Sequence, residues 1–183
     1  MYQQNFKQID FSVTSLTDNE YENCTFNDCI FISIKGITFN DCVFTNCNFS
    51  NANIDVCILN QCSFIDCKLV GLNFGRVKDF GFSIAAKNCN FMYATFERKK
   101  VNKSMFTNCL MKGANFTDSD LSLSKIDNCD FVEAVFDNTN LQGVDFTTNI
   151  NFAIDPTLNK VKKAKFSRHN LSGLLYSFQI IIE

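Results

Sequence analysis

A chain of 183 residues with 21 Phe, 10 Cys, one Pro and no Trp is long enough for one domain with a sizeable core, and that usage suits neither a disordered chain nor an ordinary helical bundle. The net charge of −2 is too small to name a partner. No run approaches the roughly 18 apolar residues of a membrane span, and the start, MYQQNFKQIDF, lacks the charged and apolar regions of a signal peptide, so a soluble cytoplasmic protein is expected.

From the N-terminus, the first organised feature is a step of five. In YENCTFNDCIF, residues 21–31, Tyr21, Phe26 and Phe31 fall five apart. A helix would turn successive rings by 140° and scatter them, and a strand would point them to alternate faces. The spacing works if five residues form one side of a larger coil that stacks on itself. The same register runs from Phe6 to Phe31, resumes from Phe39 to Phe74, and resumes again from Phe91 to Phe146. All 26 of these centres are apolar and 16 are Phe, so the core is built from Phe and the repeat decides the fold.

Two stretches break the register. Around SIKGIT, near 32–38, three extra residues are expected, with Gly36 suited to a turn of positive φ. Near 75–88, GRVKDFGFSIAA lacks clear units and carries two residues beyond three quintets, which predicts a protruding loop. Loops on a rigid scaffold often carry contacts. Arg76, Lys78, Asp79, Phe80 and Phe82 are therefore the candidate partner-binding residues; the alternative is a tolerated surface insertion with Phe tucked against the rod.

After Asp155 the chain changes character. The segment 156–183 reads as a capping or dimerisation unit: LSGLLYSF as a short amphipathic helix begun near Asn170, and QIIIE as a terminal strand. An open solenoid end exposes apolar floor and unpaired backbone, so it needs a cap or a partner. Residues 1–155 form the repeat body.

Every Cys, from Cys24 to Cys129, lies two residues before a centre; Ala and Ser hold many of the other such positions. Reduced Cys fits there as a small buried hydrophobe. The columns set the period. At intervals of twenty, Cys89, Cys109 and Cys129 align, as do Ala94, Ala114 and Ala134, whereas intervals of fifteen or twenty-five mix residue types. Four sides per turn follow, and stacking 26 quintets at roughly 4.8 Å per coil gives a rod of about 30 Å.

The units NCTFN, NANID, GANFT, DSDLS, NTNLQ and GVDFT resemble those of the pentapeptide repeat family. The resemblance implies an all-β solenoid, a right-handed quadrilateral parallel β-helix with a short C-terminal helix and strand. It also implies function. In the quinolone-resistance, or Qnr-type, members a similar tail forms a head-to-head dimer, which points to Leu171, Leu174, Leu175, Phe178, Ile180 and Ile182 as a homodimer interface. Those members are rods of DNA-like size that occupy the DNA site of gyrase or topoisomerase IV and protect it from quinolones. The alternative is a structural or adaptor module for an unrelated protein.

Charge bears on that choice. Asp plus Glu outnumber Lys plus Arg by 8 to 3 over residues 1–75, are outnumbered by 2 to 8 over 76–112, lead by 8 to 1 over 113–155 and trail by 1 to 5 thereafter. DNA mimicry would need the acidic stretches to form one continuous face. Chemistry is otherwise sparse. The single His169 has no second base from which to assemble a triad, the Cys spacing fits no zinc pattern, and no cofactor motif occurs. A non-catalytic protein without metal or cofactor, with buried free thiols and no direct contact to nucleic acid or membrane, is expected.

Overall fold

Each quintet becomes one side of a coil because the backbone turns a corner two residues after the centre. At these corners φ is positive in Asn23 (52°), Asp28 (55°), Asn46 (52°), Asn108 (54°) and Asn128 (52°), among others. Left-handed backbone costs most L residues about 1–2 kcal/mol, but Asn, Asp and Gly visit it readily. The abundance of Asn has one cause here. It has a second in the amide ladders that climb the corners, where Asn128 donates to Asn108 at 2.9 Å and Asn108 to Asn88 at 3.1 Å.

The structure, a computed structural model, describes residues 1–181. It is a four-sided parallel β-solenoid with one short C-terminal helix. One side holds a sheet made of β1 (Asn5–Lys7), β3 (Thr25–Asn27), β5 (Val43–Thr45), β7 (Cys62–Ile65), β8 (Ile84–Lys87), β9 (Met105–Thr107) and β10 (Lys125–Asp127). The adjacent side pairs β2 (Glu20–Glu22), β4 (Thr38–Asn40) and β6 (Ile58–Asn60). The other two sides are joined by single parallel bridges, such as Asn90 to Leu110 and Ser33 to Asn53.

The stacking interval is twenty where Phe44 pairs with Phe64 and Ala86 with Phe106. Two coils differ. Phe26 pairs with Phe44 after eighteen residues, so the stretch at 32–38 is not an insertion of three: one side is two residues short. Ile34, outside the five-residue register, supplies the missing inward side chain and is 2% exposed. Phe64 pairs with Ala86 after twenty-two residues, so the coil at 75–88 is widened by two, and the regular stack resumes at β8.

Inside, aromatic rings form columns. Phe26 stacks on Phe44 at 4.9 Å, Phe96 on Phe116 at 5.1 Å and Phe116 on Phe136 at 5.1 Å. Rings on neighbouring sides meet edge to face, as Phe26 and Phe31 do at 5.7 Å. Both arrangements suit the ring quadrupole.

The position two before each centre also forms columns. Backbone registers place Cys29, Cys47, Cys67, Cys89, Cys109 and Cys129 one above another. Each thiol of this column turns toward backbone carbonyls: Cys67 Sγ donates toward Ile65 O at 3.3 Å and Phe44 O one coil earlier at 3.4 Å. All ten Cys are free and buried. Burial pushes the thiols of Cys42 and Cys57 up to about 11 and about 12.

The stack runs on past residue 155. Asn140 bridges Lys160, Asp145 bridges Lys165, and Phe166 stacks on Phe146 at 5.5 Å. Short helical turns follow at Arg168–Asn170 and Tyr176–Phe178, on either side of α1 (Ser172–Leu175). They lie across the end of the stack: Gly173 O accepts Ile154 N at 2.8 Å, and Leu174 packs against the core. The terminal strand expected in QIIIE does not form in residues 179–181, where Gln179 takes φ of 52°. Ile182 and Glu183 lie outside the described residues. Among the described residues no helix is long and apolar enough to cross a membrane.

Candidate partner-binding surface

The widened coil is built around a buried lysine. Lys99 lies two residues before the centre Val101, in a column otherwise occupied by Cys57, Val77, Ser119 and Thr139, and it is 1% exposed. Its Nζ donates to Val77 O at 2.5 Å, lies 2.9 Å from Asp79 Oδ1, and sits 4.4 Å above the Phe82 ring. Burial holds the amine below its ordinary 10.5, and the hydrogen bond and charge of Asp79 pull the other way. Three contacts on one ammonium tie residues 77, 79 and 82 to the rod.

The sequence candidates therefore separate. Phe82, expected on the binding loop, is 5% exposed because its ring floors the Lys99 site; it supports the loop from within. Phe80 is 82% exposed at the loop's outer turn. Lys78 is exposed, Arg76 pairs with Asp55 at 3.2 Å, and Asp79 faces both water and Lys99. Lys99 itself was not legible as a site residue. In sequence it belongs to a basic run, and only its place two before Val101 marks it as inward.

Beside the loop lies an open groove of about 530 Å³ between Asn60, Gln61, Phe82, Lys100, Asn102 and Lys103. At the C-terminal end, the expected interface residues also divide. Leu174 is partly buried as a cap, Leu175 is half-buried, and Leu171, Phe178 and Ile180 are exposed at 43%, 58% and 56%. Tyr176 and Ile181, absent from the sequence candidates, join them on that exposed end.

The acidic residues do not form one face. Glu20, Glu22 and Asp41 lie on or beside the β2–β4–β6 side, Asp28, Asp66 and Asp127 along the β1–β10 side, and Asp55, Glu97, Asp118 and Asp137 along the side that carries Phe96. Basic groups interleave with them. Arg98 contacts Asp118 at 3.6 Å, Lys112 contacts Glu133 at 3.7 Å, and Lys165 contacts Asp145 at 3.5 Å. The alternation seen along the chain is wrapped around the rod and dispersed.

Comparison with known proteins agrees with this geometry. A family model for pentapeptide repeats matches in eight copies over residues 33–61 and 114–148. Among solved structures, full-length QnrB1, a plasmid-mediated fluoroquinolone resistance protein, matches at 19% identity over 98% of this chain and 99% of that one, with a TM-score of 0.55. A trypsin-treated variant of QnrB1 matches at 20% identity over 100% and 99%, with a TM-score of 0.52. HetL, a pentapeptide repeat protein involved in heterocyst differentiation regulation in the cyanobacterium Nostoc sp., matches at 10% identity over 90% and 86%, with a TM-score of 0.47. No curated protein sequence matches. The five-residue units and the four-sided stack they build agree with the pentapeptide repeat model over the residues it matches, and the fold resembles that of the QnrB1 structures.

Proposed function

We propose that the chain is a non-catalytic binding rod that engages a type II topoisomerase, DNA gyrase or topoisomerase IV, and protects it from fluoroquinolones. The observation that supports this reading is the end-to-end match to QnrB1, which spans nearly the whole of both chains. A rod whose interior is filled by side chains offers a partner shape and surface rather than a cavity for chemistry. The exposed Leu171, Phe178 and Ile180 suit a homodimer through the C-terminal segment, with Ile182 as a further candidate. Partner binding is expected in the cytoplasm.

DNA mimicry in this protein would rest on the shape of the rod. Duplex DNA carries about one negative charge per 1.7 Å, whereas each side here alternates acidic and basic groups. That dispersal favours a second reading, an adaptor that binds an unrelated protein. Gyrase supercoiling and quinolone-induced cleavage, measured at rising concentrations of the rod, separate the two. Restored supercoiling in the presence of drug is expected; neither protection nor inhibition would remove the topoisomerase reading and leave the adaptor.

A further inference from the structure

We propose that the groove beside residues 78–83 docks an acidic, extended segment of a partner protein, and that Lys99 is the positioning residue that holds its wall. The inference rests on the protein-binding reading but on no particular partner.

The groove is lined by three amides, Asn60, Gln61 and Asn102, and by the ammonium groups of Lys100 and Lys103. Amide side chains present donors and acceptors that match the main chain of an extended peptide. The two lysines are exposed, and among the described residues neither takes part in an ion pair. Asp79 is the one carboxylate of the lining, and Lys99 already neutralises it from beneath. The groove thus offers two uncompensated cations to an anionic ligand. Phe80, at the loop's outer turn, adds an exposed aromatic contact nearby.

The surroundings favour a short acidic peptide over a nucleic acid. The coils before the loop carry Glu20, Glu22 and Asp41 on this same side, and Asp120 is bridged to Lys100 in the coil that follows. A polyanion laid along the rod would meet these carboxylates, while a segment crossing at the loop would meet Lys100 and Lys103 with a single carboxylate, Asp79, that is already paired with Lys99.

Lys99 supplies the rigidity. A tolerated insertion needs no buried charge, and a buried ion pair adds more to conformational specificity than to stability in the best-attested cases. Here the ammonium joins Val77 O, Asp79 and the Phe82 ring, three points of the loop, to a column inside the solenoid. Docking onto a wall that is already ordered avoids the entropy of fixing it.

The test uses the full chain and a fluorescein-labelled peptide of glutamates around one phenylalanine, read by fluorescence polarisation at low and high salt. Salt-sensitive binding is expected, weakened about tenfold or more by joint Lys100→Glu and Lys103→Glu. The same charge change at Lys162 and Lys163, far along the rod, is expected to leave binding intact. Lys99→Met is expected to keep the melting transition and circular dichroism while it weakens binding and speeds amide exchange at residues 78–83. Absent peptide binding, indifference to the double reversal, or tighter binding of a single-stranded oligonucleotide at the same lysines would each overturn the docking site. Wild-type exchange and affinity in Lys99→Met would overturn the positioning role. Topoisomerase protection is read in a separate assay, so either idea can fail without the other.

Discussion

The rings of Phe44 and Phe64, twenty residues apart in sequence, lie face to face at 4.9 Å with planes 10° from parallel. That pair repeats through the rod, so each coil is the floor of the next and no coil is stable alone. Phe44→Ala should therefore cost about 3–5 kcal/mol, the range for large-to-small changes in a packed core. Phe80→Ala, on the exposed loop, should stay within about 0.5 kcal/mol. Urea unfolding of the two variants checks the contrast, and equal effects would mean that the stacked column does not carry the fold.

The thiol column makes a second prediction. Ten cysteines are free and buried, and burial raises those of Cys42 and Cys57 above the ordinary thiol range. A thiol-disulfide reagent at neutral pH should find almost none of them in the folded rod and all ten after denaturation. Rapid labelling of the native protein would place the thiols outside the core. Cys67→Ser should be tolerated at a cost of about 1–2 kcal/mol, because a hydroxyl can donate to the same carbonyls but loses apolar burial.

A third prediction concerns a corner that breaks the local rule. Leu123 takes φ of 63° at a kind of corner that Asn, Asp and Gly hold most often, and its side chain is 77% exposed. It bears the strain of left-handed backbone with little burial in return. Leu123→Asn should stabilise the rod by about 0.5–1 kcal/mol. An unchanged or lowered melting temperature would mean that Leu123 packs in a way its exposure does not reveal.

The Lys99 amine gives a pH dependence whose sign can be worked out. Its pKa is lowered in the folded chain from the usual 10.5, so between the folded value and 10.5 the unfolded state binds more protons. Stability then rises with pH through that window from this group, relative to Lys99→Met, which lacks it. The charge that pairs with Asp79 is lost over the same range, so amide exchange at residues 78–83 should speed up while the melting temperature does not fall on this account. Matched melting and exchange series for wild type and Lys99→Met, from neutral pH upward, check both halves.

The exposed end predicts an oligomer. Leu171, Tyr176, Phe178, Ile180 and Ile181 together present apolar surface beyond the cap formed by Leu174. Sedimentation should show a dimer, and joint Phe178→Asp and Ile180→Asp should shift it to monomer while the thermal transition of the rod stays intact. A monomeric wild type would leave this surface for a different partner.

The solenoid was legible because its determinant is local and repeated. A centre such as Phe106 and the small Cys or Ser two residues before it recur through nearly the whole length, and columns such as Cys89, Cys109 and Cys129 reveal the interval of twenty. What was missed lies where the period fails. Ile34 fills a shortened side that the five-residue register cannot mark, and Phe82 turns inward in a coil with two residues too many. The candidate surface was half legible: the loop and its Phe80 were, while Lys99 was hidden in a basic run.

The sequence by itself determined the coil, its period, the aromatic interior and the reduced state of the thiols, since each follows from a pattern that neighbouring residues share. Only the tertiary structure decided where charges fall around the rod, which loop residues face water, and what lies beside Lys99. Those properties depend on residues from different coils meeting across the stack, and a two-residue change in one coil shifts every such meeting in that coil. A one-dimensional period fixes which residues point inward, but the company each keeps is set by how the coils are laid upon one another.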